Sequence, residues 1–577
     1  MIHRRSRVVR NSVVLSGLLL GASCLTIGCS KDEKKAAEQQ SGISPVKSAK
    51  EIDLSKSLVS YLPDQTVGFF LWEGKHPAYK KLMDSPWASG QNDISKVLNE
   101  SNPELDQLKD LLKKVGIDAN DKETWRALFS EAAVFATGGP SADKAAALGV
   151  VFRADPSAKL SDKMTALRNA LKQDAQVETA DLKVSKGSGF SLKKKDAEPG
   201  SLDKVYVGWN QDTGVVGSSE WVVDNSLSAP GGKVPALVGS DQFAKAAKGL
   251  PQDEDRFATG YVDVAKLLEV AAKISPSSSA VPPNEVPVKA VSFAMAMDEA
   301  PQSSLRMIYD PADKSKNQWL GALNASSSSS LLQAMPNKPL VFLSLDGQTL
   351  KKAKEIGLQS AGPAGKAYAS QLAFLDNIKR VGLAARPAAP GKSMIPMPDI
   401  LLVLESSGAA STESQLKQIL GGVAQGMGMP GMQWSEKQIA GVPVKSMVSP
   451  FGVGIFLASN KDLVIVSSSE AQMQGALSGS TTGTFAAGMP ARVEQVFAKE
   501  QTLGNIYVNF EEVGTMMESM GGMLAMYAPP NGDANKLLEA KNIESIKKMG
   551  TVVGSVKLED GAIGVDSYYQ QPAKPTA

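Results

Sequence analysis

Apolar residues in this chain fall into short runs framed by turn residues, and several of those frames occur twice. YLPDQTVGFFLWEGKHP, residues 61–77, reads as a proline turn, an apolar strand from Val67 to Trp72 and a polar helix start. AMPNKPLVFLSLDGQTL at 334–350 repeats the order, with Pro336 ahead of Leu340 to Leu345. Proline before a strand is common punctuation, so the weight falls on matches that follow in the same sequence. VYVGWNQDTGVVGSSEWVVDNSLS (205–228) parallels GIFLASNKDLVIVSSSEAQMQGALSG (454–479). Each is a strand, an Asn-x-Asp turn (Asn210 and Asp212; Asn460 and Asp462), a second strand and a helix start, as a hairpin requires. Ser467 and Glu470 have capping-box spacing, and Gly217 and Glu220 hold those places in the first copy. DRFATGYVDVAKLLEVAAKI (255–274) and QTLGNIYVNFEEVGTMMESM (501–520) each give a strand, an Asp or Asn, and an amphipathic helix. Alternating strands from Ala290 and from Gly550 close the two copies as hairpins.

Four ordered matches, offset by roughly 250–270 residues, predict an internal duplication. The expected fold class is α+β: two tandem modules, each mainly antiparallel sheet with packed helices such as SDKMTALRNALKQ and TESQLKQILGGVAQGM. Module 1 is placed at 56–310 and module 2 at 331–577. The linker at 311–330 is where charge gives way to a five-serine run. The LPxxT phrase (Leu62, Pro63, Thr66), the strand–Asp–helix units and the closing hairpin resemble a group of bacterial secreted proteins classed only as a domain of unknown function. That resemblance covers most of the body and carries over no site residues.

The first residues change the picture from fold to location. Arg4, Arg5, Arg7 and Arg10 precede a charge-free apolar stretch from Val13 to Gly28. A spanning helix needs about 20 apolar residues, so 1–28 reads as a secretory signal peptide. It ends LTIGCSKDEKK. Small residues ahead of a cysteine, with polar sequence directly after it, resemble the lipobox of bacterial lipoproteins, with Cys29 as the lipid-attachment residue. Thr26 stands where that family prefers leucine. Cys24, in GASC, is a second candidate. The resemblance implies acylation of Cys29 and anchorage in the membrane through lipid. Ser30 stands where an aspartate marks inner-membrane retention in enteric bacteria, so it implies the outer membrane, with the body facing the periplasm. Residues 29–55 are charged and poor in large apolar side chains and read as a disordered tether, spanning about 25–30 Å.

Removing the leader's four arginines from 62 basic residues leaves 58 against 60 acidic ones. A near-neutral body with 6% aromatics offers neither the basic patch nor the stacking platform of a nucleic-acid binder. Both cysteines of the chain lie in the first 29 residues, so the body has no disulfide, thiolate zinc site or catalytic thiol. Its one histidine, His76, sits in the polar strand-to-helix turn EGKHPAYKK and reads as a capping or exposed residue. HExxH, GxSxG and phosphate-loop patterns are absent, and no cofactor or metal is expected. Asp253, Glu254 and Asp255, and Glu511 with Glu512, are the carboxylate clusters available to a hydrolase. Adjacent carboxylates on a helix point apart, and PQDEDR reads as a solvated loop.

Methionine is concentrated in the second module: Met427, Met429 and Met432, then Met516, Met517, Met520, Met523 and Met526. Thioethers are ligands for Cu(I). The helical spacing of Val513, Met516, Met520 and Met523 instead predicts a core or groove face of adaptable side chains. Met427, Met429 and Trp434 are the expected contact residues for a partner or ligand, in a groove between two similar modules. The expected role is non-catalytic binding or scaffolding in the cell envelope, with an envelope protein or apolar ligand as partner. Lipid or hydrophobic-ligand handling is the alternative, and a carboxylate hydrolase stands third.

Overall fold

The computed structural model describes residues 57–84, 122–141, 144–174, 177–195, 204–248, 256–274, 286–297, 300–310, 329–360, 369–387, 398–426, 433–449, 454–478, 485, 491–494, 496–497, 501–527, 540–559 and 561–570. The chain divides between Asp310 and Pro311 into two compact units. Unit 1 carries β1 (Thr66–Trp72), β2 (Glu131–Ser141), β3 (Lys144–Arg153), β4 (Val177–Leu182), β5 (Ser188–Lys194), β6 (Lys204–Asn210), β7 (Thr213–Gly217), β8 (Arg256–Asp263), β9 (Val288–Met297) and β10 (Pro301–Tyr309). Their antiparallel pairings give the order β10-β9-β8-β1-β2-β3-β7-β6-β5-β4. Unit 2 carries β11 (Val341–Asp346), β12 (Ile378–Arg386), β13 (Asp399–Ser406), β14 (Ser435–Ile439), β15 (Val442–Val448), β16 (Gly454–Asn460), β17 (Leu463–Ser467), β18 (Gly504–Asn509), β19 (Thr551–Glu559) and β20 (Ala562–Gln570). Their order is β20-β19-β18-β11-β12-β13-β17-β16-β15-β14, again antiparallel throughout. Place for place, the two orders coincide. With helices between and against the strands, each unit is α+β.

Local chemistry explains where the elements turn. The loops Gln211-Asp212 and Lys461-Asp462 join β6 to β7 and β16 to β17. Positive φ falls on the middle residue of each Asn-x-Asp phrase, Gln211 and Lys461, both at φ 53. The aspartates do other work: Ala154 N–H donates to the Asp212 carbonyl (2.7 Å), and Ser406 N–H to that of Asp462 (2.8 Å). Each loop is thus tied to the end of β3 or β13. After β8 and β18, Asp263 and Asn509 cap the helices Val264–Ile274 and Phe510–Tyr527. Asp263 accepts from Lys266 N–H at 3.0 Å, and Asn509 from Glu511 N–H at 3.1 Å. The expected Ser467–Glu470 box is displaced. Ser469 is the cap, its hydroxyl accepting from Gln472 N–H (3.4 Å) and its carbonyl from Met473 N–H (3.1 Å). Glu470 pairs with Lys437 instead, at 2.6 Å. Ser329 and Ser330, expected in the linker, open the helix Ser329–Leu332, whose two leucines are core; 311–328 lie outside the described residues.

One face of each sheet is sealed in the same way. Phe69, Phe135, Val151 and Tyr261 pack with Val222, Val223 and Leu227 of the helix Glu220–Ser228. In unit 2, Phe342, Leu401, Val403 and Tyr507 pack with Met473 and Leu477 of Glu470–Ser478 and with Phe485 and Phe497. The opposite faces differ. In unit 1 the helix Pro77–Met83 lies over β8 and β9, placing Ala78 and Leu82 on Phe257, Ala258 and Met297, with Phe70 and Tyr79 alongside. In unit 2 the helix Gly347–Ser360, which follows the corresponding strand, packs toward β12 and the turn Ala373–Asn377 instead.

Candidate functional site

Two features of unit 2 are candidates, one at the end of β11 and one across its middle. The first is polar. At the end of β11, Asp346 caps the helix Gly347–Ser360, accepting from Gln348 N–H at 2.8 Å. Beside it on β12, Arg380 is 1% exposed. Its guanidinium donates to the Thr502 carbonyl (3.3 Å), the Thr502 hydroxyl (3.0 Å) and the Ser344 hydroxyl (3.3 Å). Glu405 lies directly opposite on β13. Burial draws the Arg380 pKa down to about 10, against the pull of Asp346 and Glu405, so it stays charged at neutral pH. A cleft of about 350 Å³ opens here, lined by Asp346, Lys351, Asp376, Lys379, Arg380 and Glu405 among others.

Each carboxylate of that cleft has a structural task. Asp346 caps a helix, Asp376 pairs with Lys354, and Glu405 accepts from the Ser330 hydroxyl.

Unit 1 places a related cluster at the same strand ends. Glu131, 9% exposed, accepts from Leu58 N–H (2.8 Å) and from Arg153 (2.6 Å). Glu73 and Arg256 stand nearby. Burial raises the pKa of Glu131 above the ordinary carboxylate value, with the Leu58 N–H and Arg153 pulling it back. A carboxyl whose pKa is raised by folding binds its proton more tightly folded than unfolded. It therefore subtracts stability as pH rises through and above the carboxylate range. Glu131→Gln is expected to flatten the fall in unit 1 melting temperature as pH rises above about 4.5, read by calorimetry at stepped pH. An unchanged slope would assign that dependence to Glu73, whose carboxyl is shifted the same way by burial.

The second feature is apolar. Leu343 of β11 is flanked by Leu383 of β12 and Ile506 of β18, and Ile400 of β13 sits diagonally from Leu383. They are 38%, 38%, 42% and 47% exposed, four of the six exposed large apolar residues among those described. Val341, Leu345 and Val508 fill the gaps between them and are half-buried. The matching places in unit 1 hold Phe70, Val134 and Leu148, all half-buried. There Phe293 lies over Gly260, its ring within 1.7 Å of where a Cβ would stand, and stacks on Phe70 at 5.4 Å. In unit 2 the pair is reversed: Ile506 lies over Gly554, and no described helix covers it.

The residues expected from sequence fall as follows. Trp434 is half-buried against the cluster of Leu404, Leu416 and Leu457, on the helix Ala409–Gly426. Cys29, Met427, Met429 and Asp253–Asp255 lie outside the described residues. His76 caps the helix Pro77–Met83, its Nδ1 accepting from Ala78 N–H at 3.2 Å. Met516 and Met517 are half-buried on Phe510–Tyr527, and the side chains of Met520, Met523 and Met526 lie outside the described set. Among the described residues, no group of three or more His, Cys, Asp and Glu gathers as a metal site requires, and no helix is long and apolar enough to cross a membrane. The open strand face went unnoticed in the sequence, although its signal is there: VFLSL and ILLVL are apolar on both faces of their strands.

No protein-family model and no curated protein matches the chain. Two solved structures show a likeness. Crystal form III of TP0453 is 13% identical, covers 42% of this chain and 80% of its own, and has a TM-score of 0.22. Crystal form I of TP0453 is 10% identical, covers 46% and 87%, and has a TM-score of 0.19. At these TM-scores neither likeness bears on the fold or the site.

Proposed function

We propose that this chain is a lipid-anchored envelope protein that acts by binding, and that the open face of β18-β11-β12-β13 seats an amphipathic helix of a partner protein. The observation that carries the reading is the exposed row Ile506, Leu343, Leu383 and Ile400. Exposed apolar side chains that adjoin one another mark interaction sites, whereas scattered ones need no explanation. The helix as occupant follows the precedent of unit 1, where Pro77–Met83 lays its apolar Ala78, Leu82 and Tyr79 on the sheet at β8 and β9, with Phe70, the counterpart of Leu343, alongside. Met427, Met429 and Trp434 supply a second contact set in this reading, Trp434 through its exposed part. Anchorage is through Cys29, with Cys29→Ser expected to move the protein from the membrane to the soluble fraction; release by Cys24→Ser alone would reassign it. The two units descend from one module by duplication in this reading, which their coincident strand orders support. A crystal structure whose sheets failed to superpose in that order would refute it.

The experiment is photo-crosslinking in the cell with a photoreactive residue at Leu383, and at Gln418, an exposed helix position, as control. A discrete protein adduct at 383 and not at 418 is the expected result. Adducts to lipid alone would favour the hydrophobic-ligand alternative, and no adduct at 383 would remove the face from consideration.

A further inference from the structure

Two units with one strand order, in one chain, carry a hazard. A strand of one unit meets, at high effective concentration, the place meant for its counterpart in the other. The pairs β2–β3 and β12–β13 are the same place in the two sheets. Arg153 and Glu405 both lie opposite the first residue after the two-residue loop, Thr213 and Leu463. Their partners across the other edge are Glu131 and Arg380. The charge is therefore inverted: acid on β2 and base on β3 in unit 1, base on β12 and acid on β13 in unit 2. Volume is inverted as well. In unit 1 Phe135 on β2 lies over Gly149 on β3, its ring 2.4 Å from where a Cβ would be. In unit 2 the matching pair is Ala384 on β12 and Leu401 on β13, both fully buried.

We infer that these inverted pairs keep the two units apart during folding, by making β2 incompatible with β13 and β12 incompatible with β3. An exchanged β2–β13 pair sets Glu131 against Glu405 and Phe135 against Leu401. The reciprocal pair sets Arg380 against Arg153 and Ala384 against Gly149. Like charges directly opposite one another destabilise a sheet, and the burial of Glu131 and Arg380 deepens the penalty. Overpacking in one product and a void in the other add to it. The key matters most for β12 and β13, which residues 387–398 separate, whereas β2 and β3 are neighbours in the chain, with Ser141 paired to Lys144. The inference stands on register and burial, independently of what the protein binds.

The test uses the full chain with Cys24→Ser and Cys29→Ser, which leaves no cysteine. Val134→Cys and Leu402→Cys are then added. Val134 is the β2 residue facing Val150, and Leu402 occupies on β13 the place that Val150 has on β3, facing Leu383. A disulfide between 134 and 402 therefore reports the exchanged pairing. After oxidative refolding, the 134–402 link is expected to be rare with native charges. It should rise several-fold in Glu131→Arg/Arg153→Glu, which keeps an ion pair in unit 1 but gives both units one polarity. Adding Arg380→Glu/Glu405→Arg restores opposite polarity and should suppress the link again. Should Glu131→Arg/Arg153→Glu fail to refold, Arg380→Glu/Glu405→Arg alone carries the same expectation. A link whose yield ignores the charge pattern, or stays high in the fourfold variant, overturns the inference.

Discussion

Arg380→Ala is expected to cost unit 2 about 3–5 kcal/mol, the range for removing one partner of a buried charge pair. The cost lies less in the lost hydrogen bonds than in what is left behind. Arg380 is 1% exposed and supplies the positive charge that Asp346 and Glu405 act upon. Without it, two carboxylates at adjoining strand ends, Asp346 buried and Glu405 half-buried, face each other with no cation between them. The Thr502 carbonyl and hydroxyl lose the guanidinium as donor, and the Ser344 hydroxyl is left with Asn505. A loss of that size is a large fraction of a domain's total stability. The same reasoning predicts that Arg380→Met with Glu405→Leu recovers much of the loss, since a buried ion pair and an apolar pair of similar volume are often close in energy. Denaturant unfolding, followed for the transition that the single substitution shifts, checks both. A loss below about 1 kcal/mol for Arg380→Ala would show a site wet enough for water to replace the guanidinium.

Much of the architecture was legible because it is written in local punctuation. Pro63 and Pro336 do precede β1 and β11, the Asn-x-Asp phrases do close hairpins, and Asp263 and Asn509 do cap the helices that follow. Each signal lies within a few residues of the structure it specifies. The buried charge clusters are another matter. Glu131 and Arg380 stand at the head of apolar runs, EAAVFA and KRVGLAA, and read by themselves as solvent-side positions. Their partners are set by register across strands, and register follows from strand order, which no local pattern contains. The Ser467–Glu470 box failed for a related reason. Three serines in a row offer three caps, and the choice fell to Ser469 while Glu470 found Lys437 on β14.

The open face shows the same limit in its energetic form. A run such as VFLSL says that both faces of a strand are apolar, not which neighbour covers them. In unit 1 the helix after β1 folds back over β8 and β9; in unit 2 its counterpart, Gly347–Ser360, is drawn toward β12, with the Asp346 cap fixing where it starts.

Replacing Leu343, Leu383 and Ile506 together by threonine should abolish the protein adduct formed from that face while leaving the fold intact, with the photoreactive residue now at Ile400. The three side chains are already about two-fifths exposed, so the fold loses only part of the burial energy of each. Threonine keeps the β-branched shape that strands favour, on a scale that spans about 1 kcal/mol. A partner helix loses far more. Its apolar stripe was to desolvate all three at once, at about 25 cal/mol per Å², and adjoining positions at the centre of an interface carry most of its binding energy. A control triple on the helix-covered side of unit 1, Ala78, Leu82 and Phe257 to threonine, should do the reverse: those residues are 1% exposed, and the change should unfold unit 1. Circular dichroism separates a lost fold from a lost contact. If the unit 2 triple keeps both its spectrum and its adduct, the partner sits elsewhere, and Met427, Met429 and Trp434 become the next positions to substitute.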